Sequence, residues 1–214
     1  MADGPVLEEE LASEEASALG APLIGLTGGM GAGKSTALEA MRELGCEVLS
    51  TDRVVHELYC CERVRAALVE RWGEEVAPAG VISRDAVAER IFSSKEEREW
   101  LEHTLWPLVG ERVAVWLALS RAKEPPPRAA VVEMPLLFES GMDRACDATI
   151  ALVADEAVRQ QRTATRQHAR EAERVARQLS QQEKAERAMF TVRNDGSVDE
   201  LWDELSGVLD KLTG

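Results

Sequence analysis

The sequence predicts an α/β protein, and three observations carry that prediction. Five short apolar runs of strand type alternate with helix-patterned segments. The first run ends in a glycine-rich turn that leads straight into a helix. A second strand-type run follows that helix within about thirty residues, the length of the β-loop-α-β crossover from which parallel sheets are built.

Each element has its own pattern. Pro22 to Thr27 (PLIGLT) reads as a buried strand entering Gly28-Gly29-Met30-Gly31. In the next helix Ala37, Leu38, Met41 and Leu44 share a face, and Gly45 stands where a helix C-terminus takes a residue tolerant of positive φ. Cys46 to Leu49 is the second strand. From Asp52 to Ala122 the pattern is helical, broken at Gly73 to Gly80 and again at Pro107. That block is too long for one crossover helix, so it reads as a helical insertion, about 53–122, beside the sheet, followed by the stiff connector Lys123 to Pro127. Ala129 to Val132 and Ala148 to Val153 read as two more buried strands, and Thr191-Val192 as a short fifth. Asp155 opens another helix. Ser197-Val198-Asp199-Glu200 is a capping box for the last one, where Val198, Leu201, Trp202, Leu205, Val208, Leu209 and Leu212 keep helical spacing.

With 214 residues, 45% of them hydrophobic and 30% charged, the chain can bury one sizeable core, assigned to 22–214. The net charge of −14 argues against a nucleic-acid partner, whose affinity rests on basic residues. Asp3, Glu8, Glu9, Glu10, Glu14 and Glu15 are met by no Lys or Arg in the first twenty residues, so 1–21 reads as an acidic, disordered extension. No apolar run approaches the roughly 20 residues needed to span a bilayer. Cys46, Cys60, Cys61 and Cys146 lack metal or disulfide spacing and are read as half-buried packing residues in a reduced, cytoplasmic protein. Oligomeric state is not legible.

Gly28 to Ser35 (GGMGAGKS) fits G-x-x-x-x-G-K-[ST] between a strand and a helix, the setting of a phosphate-binding loop. In such a loop Gly29, Met30, Gly31, Ala32 and Gly33 cradle phosphate with backbone N–H groups. Lys34 reaches the β and γ oxygens, the hydroxyl of Ser35 ligates Mg²⁺, and Thr36 adjoins it, so ATP and Mg²⁺ are the expected cofactors. Asp52 follows the second strand and opens onto the same crevice, where a general base for an attacking hydroxyl belongs; the position equally fits a helix cap. Arg159, Arg162, Arg166, Arg170, Arg174 and Arg177 share one stretch with only Glu171 and Glu173, which reads as a lid, about 159–187, with Arg166 its foremost member.

Gly25 to Thr36 (GLTGGMGAGKST), Asp52, Pro135-Leu136-Leu137-Phe138-Glu139, the Arg162 and Arg166 pair and Asn194-Asp195-Gly196, in this order, resemble dephospho-coenzyme A kinase from about Leu23 to Leu212. The resemblance implies a nucleoside-monophosphate-kinase-like parallel sheet flanked by helices, with a substrate-binding insertion and a lid. It implies ATP-dependent phosphorylation of the ribose 3′-hydroxyl of dephospho-CoA, with Asp52 as base, Lys34 and the lid residue Arg166 on the transferred phosphate, and Arg162 among the ATP-binding residues. Asn194 and Gly196 are implied near the adenine, and Arg84, Leu136, Leu137 and Phe138 on the acceptor side.

The sequence departs from the family at Ser50, where an Asp is usual, at Trp106, where His precedes Pro107, and at Met189, where Asp is common. Glu133 is an acid that replaces some of the lost charge near the metal, or else a solvated strand-end residue. A kinase for another small acceptor and a catalytically weak nucleotide-binding module remain as alternatives. No Asn-Lys-x-Asp tetrapeptide for guanine occurs.

Overall fold

Six consecutive buried residues, Leu23–Gly28, form the central strand β1. The computed structural model describes residues 20–163 and 178–213. Helix α1 (Lys34–Glu43), strand β2 (Glu47–Ser50), and helices α2 (Thr51–Leu58) and α3 (Glu62–Trp72) follow. After two short 3-10 turns come α4 (Arg84–Ser93) and the long α5 (Lys95–Arg121). Then come β3 (Ala130–Glu133), β4 (Ala148–Val153), α6 (Glu156–Thr163), α7 (Gln181–Arg187), β5 (Phe190–Arg193) and α8 (Val198–Thr213).

The strands make one parallel sheet in the order β2-β3-β1-β4-β5, with Ser50 opposite Glu133 and Leu26 between Glu133 and Ile150. Helices cover both faces, so β1, β3 and β4 are buried almost throughout, while β5, at one edge, buries only Val192. Alternation along the strands sends Leu23, Ala130 and Val132 to one face, against Val54, Leu68, Leu101 and Leu105 of the insertion. Ile24, Leu26, Val131, Ile150 and Leu152 go to the other, against Met41, Leu201, Leu205 and Leu209. Truncating any of these leucines to Ala would cost about 2–5 kcal/mol.

The α/β expectation therefore holds, and the strands fall where the apolar runs put them. Other expectations do not. Pro107 lies inside the continuous 27-residue α5 rather than ending a helix. Leu101, Leu105, Val109 and Val113 recur every fourth residue through it and bury one unbroken stripe, which outweighs the roughly 3 kcal/mol that an interior Pro costs. Ser197 and Glu200 form the expected reciprocal cap, Ser197 N–H donating to Glu200 Oε2 at 2.7 Å and Glu200 N–H to Ser197 Oγ at 3.2 Å. Val198 and Trp202, however, are exposed, because α8 needs only the Leu201, Leu205, Val208 and Leu209 stripe to cover the sheet. Gln181–Arg187, inside the range read as a lid, packs against β4 and β1 as α7, with Lys184 wholly buried.

Candidate active site

Every strand in the sheet runs in one direction, so the segments that leave the strand C-termini share an edge, the place where crevices open in parallel sheets. β1 leads into the glycine loop, β2 into Thr51 and Asp52, β3 into Met134 and Pro135, and β5 into Asn194.

The loop conformation depends on glycine at two points. Gly31 and Gly33 have φ of 75° and 91°. A Cβ on Gly31 would lie 2.8 Å from the backbone oxygen of Arg159, and one on Gly33 would run into Asn194 Nδ2. Gly33 is the N-cap of α1, whose first-turn N–H groups lack helical partners and, with the helix dipole, favour an anion. Lys34 Nζ donates to the carbonyls of Gly28 and Gly29 at 3.0 and 3.2 Å, which holds the ammonium over the loop. Ser35 and Thr36 are exposed at the start of α1.

Neighbouring elements fix the loop. Asn194, buried, donates from Nδ2 to the carbonyl of Ala32 at 2.8 Å. Arg162 Nη1 donates to the backbone oxygen of Asn194 at 3.0 Å, and Arg159 Nε donates to that of Met30 at 3.0 Å.

On the other side stands an acidic group. Glu133 is only 5% exposed and accepts a hydrogen bond from Ser50 Oγ at 2.7 Å, while Thr51 Oγ1 donates to its backbone oxygen at 3.1 Å. Burial holds the Glu133 carboxyl above the usual range, opposed by the Ser50 bond and the charge of Lys34. Glu133 is thus not a solvated strand end. Asp52 sits in the first turn of α2 with its carboxylate exposed, and Ser50, not Asp52, occupies the N-cap position.

A cavity of about 360 Å³ joins these parts. Met30, Gly31 and Lys34 of the loop and Thr51, Asp52 and Val55 border one side of it. Met134, Pro135, Leu136 and Ser140 after β3, and Ile91, Trp106 and Val109 of the insertion, border the other. Apolar walls with a few convergent polar groups suit a small molecule.

Of the residues singled out from sequence, Met30, Gly31, Lys34, Asp52 and Leu136 meet at this cavity. Gly29, Ala32, Gly33, Ser35 and Thr36 complete the loop, and Arg162 and Asn194 brace it from outside. Gly196 lies two residues beyond Asn194, where a Cβ would strike Glu200. Leu137 is fully buried in the core and Phe138 packs against it; neither borders the cavity, because the turn after β3 sends only Pro135 and Leu136 outward. Arg84 is exposed at the first turn of α4 and does not border the cavity. Arg166 lies outside the described residues. Sequence reading missed Arg159 as a loop brace, the cavity wall of Ile91, Val109 and Met134, and the buried Lys184. No local signal marks Lys184, which stands among Gln, Glu and Arg in an ordinary polar helix.

The similarities to known proteins agree with this geometry. A family model described as Dephospho-CoA kinase matches residues 22–200. A Dephospho-CoA kinase of Protochlamydia amoebophila is 34% identical over 194 residues, 88% of this chain and 95% of that protein. One of Rhizobium meliloti is 34% identical, over 89% of this chain and 97% of its own length. Among solved structures, a Thermus thermophilus protein superposes with a TM-score of 0.66 at 31% identity, covering 91% of this chain and all of that one. The Dephospho-CoA kinase from Campylobacter jejuni shares the fold, with a TM-score of 0.59 at 21% identity over 90% of this chain and 97% of its own. By its loop, its sheet and its match over most of its length, the chain belongs to the dephospho-CoA kinase family.

Proposed function

We propose that the chain transfers the γ-phosphoryl group of ATP to the ribose 3′-hydroxyl of dephospho-CoA, giving CoA and ADP, the last step of CoA biosynthesis. The observation that carries this reading is a cavity bordered at once by the loop lysine Lys34, the exposed Asp52 and the Pro135-Leu136 wall. Phosphate-binding and acceptor-binding surfaces thereby meet at one carboxylate.

In this reading Asp52 accepts the proton of the attacking hydroxyl. Lys34 shifts from the Gly28 and Gly29 carbonyls to the phosphate oxygens, and the Gly29–Gly33 backbone holds them. Asn194 and Arg162 keep the loop in shape, with Asn194 and Gly196 toward the adenine. Leu136, with Trp106 and Met134 beside it, receives the acceptor; Leu137 and Phe138 support that wall from the core. Arg84 is a more distant acceptor contact and Arg166 a cationic partner of the transferred group.

The oxygen donors here fit Mg²⁺: an exposed Ser35 hydroxyl, the exposed Asp52 carboxylate and the buried Glu133 carboxylate beside Lys34 are the hard ligands it takes, directly or through water. Bound at Ser35, Mg²⁺ would neutralise phosphate charge. Among the described residues no helix is long and apolar enough to cross a membrane, and a reduced cytoplasmic setting is the one proposed.

The test is ADP release with ATP and Mg²⁺, comparing dephospho-CoA, AMP, other small alcohols and no acceptor. Release that requires dephospho-CoA, and that falls by about 10²–10⁴ in Asp52→Asn with ATP binding retained, is the expected result. ATP binding without stimulation by any acceptor would overturn the reading.

A further inference from the structure

Lys184 is the largest fully buried side chain of the described residues, and its ammonium reaches three groups on two segments of the site. It donates to the backbone oxygen of Pro135 and to Thr27 Oγ1 at 3.4 Å, and it pairs with Glu139 Oε1 at 3.3 Å. Thr27 is the residue before the glycine loop begins, while Pro135 and Glu139 bracket the turn after β3 that supplies Leu136 to the cavity. Glu139 Oε1 also accepts from Leu179 N–H at 2.8 Å; its other oxygen is buried and without a hydrogen-bond partner among the described residues.

The stem of the lysine is itself held. Ser180 and Glu183 cap α7 reciprocally, and Gln181 clamps Ala154 by accepting its N–H at 3.0 Å and donating to its carbonyl at 2.8 Å. Burying an ammonium is costly, and a buried ion pair replaced by apolar groups of like volume is often neutral or stabilising. Stability is therefore a weak reason for a lysine here. Desolvation pulls its pKa down, and the Glu139 carboxylate opposes that. Thr27 Oγ1 itself reaches the Pro135 carbonyl at only 3.5 Å, and what a charged, three-donor group adds at this spot is to hold that hydroxyl, the carbonyl and the Glu139 carboxylate of the facing turn in one geometry.

We propose that Lys184 is a positioning residue that fixes the acceptor wall, Pro135 to Glu139, against the end of β1 where the phosphate loop starts. It touches neither substrate. Its removal lets the wall shift relative to the loop, and displacements of this kind near 1 Å cost about 10²-fold in reactions that depend on alignment. The proposal rests on the kinase reading above, because it assigns the two sides of the cavity to acceptor and phosphate.

The experiment compares wild type with Lys184→Met and Glu139→Gln, each checked for folding by circular dichroism, measuring kcat and KM for dephospho-CoA and Kd for ADP by calorimetry. Expected for Lys184→Met is a fall of about tenfold or more in kcat/KM for dephospho-CoA with ADP affinity within about twofold. Glu139→Gln, which keeps the side-chain volume and an acceptor for Leu179, should move the same parameter by about threefold, and it carries the test should Lys184→Met fail to fold. Folded variants whose kcat/KM for dephospho-CoA matches wild type, or whose kcat/KM and ADP affinity fall by one common factor, would overturn the positioning role alone. A wild-type protein with no turnover on dephospho-CoA would overturn the kinase reading and the proposal with it.

Discussion

At the scale of single residues, burial sorts side chains that look alike in sequence. Burial pushes the Cys46 thiol up to about 11 and the Cys146 thiol up to about 12, the latter with help from Asp147 and Asp143. Thiolate is the reactive form, so both are inert near neutrality. Cys60, by contrast, is exposed at the end of α2. Titration of the native protein with an aromatic disulfide at pH 8 should therefore show a fast thiol that is lost in Cys60→Ser, a slower one at the half-buried Cys61, and Cys46 and Cys146 modified only after unfolding; fast modification of Cys46 would contradict this. The sequence identifies four unpaired cysteines but treats them as equals, because exposure is set by what other elements lay across them. Glu133 is a parallel case. Its place at a strand end is legible, whereas its burial and its bond from Ser50 depend on the register that sets Ser50 opposite it.

At the scale of elements, the insertion is fastened by one carboxylate. Glu97, in the first turn of α5, accepts two hydrogen bonds from Arg71 at 2.9 Å each and one from Trp72 Nε1 at 2.6 Å. Arg71 also lies 5.4 Å from the ring centre of Trp100, which meets Trp72 edge-on at 5.2 Å. The Arg71 hydrogen bond, then that of Trp72, holds the Glu97 carboxyl below its ordinary value of 4.5. A depressed carboxylate contributes stability that is present above the unfolded pKa and is lost as pH falls through the folded one. Glu97→Gln should thus be less stable than wild type at pH 7 in urea unfolding, and the gap should narrow only as pH falls below the ordinary value of 4.5 and through the lowered folded one; a gap that stays constant with pH would contradict the assignment. The pairing of α3 with α5 is invisible in sequence, since Arg71 and Glu97 are 26 positions apart and resemble ordinary surface charges. The stripe of Leu101, Leu105, Val109 and Val113 is legible, yet Pro107 reads as a break when weighed alone. A continuous buried face decides the matter over one local penalty.

At the scale of the whole molecule, the order β2-β3-β1-β4-β5 places every strand exit on one edge, and the glycine loop marks that edge in the sequence. This is why the phosphate side of the site was legible from Gly28 to Ser35 and from Asp52, while most of the acceptor wall was not. Ile91, Trp106 and Val109 come from helices whose apolar positions look like ordinary core until packing shows which of them face a cavity. The first described residues are already tied to the fold, with Arg121 Nε donating to the Ala21 carbonyl at 3.0 Å. Removal of residues 1–19 should accordingly leave kcat/KM within about twofold and the melting temperature within a few degrees; a collapse of either would show that the acidic segment belongs to the domain. The activity is defined by the destination of the phosphoryl group. Phosphorus NMR of the products formed from ATP, Mg²⁺ and dephospho-CoA reads that destination directly. A new phosphomonoester on the ribose 3′ position, appearing in step with ADP, is the predicted result, and ADP formed with inorganic phosphate instead, or a phosphoryl group delivered to another position of dephospho-CoA, would contradict it.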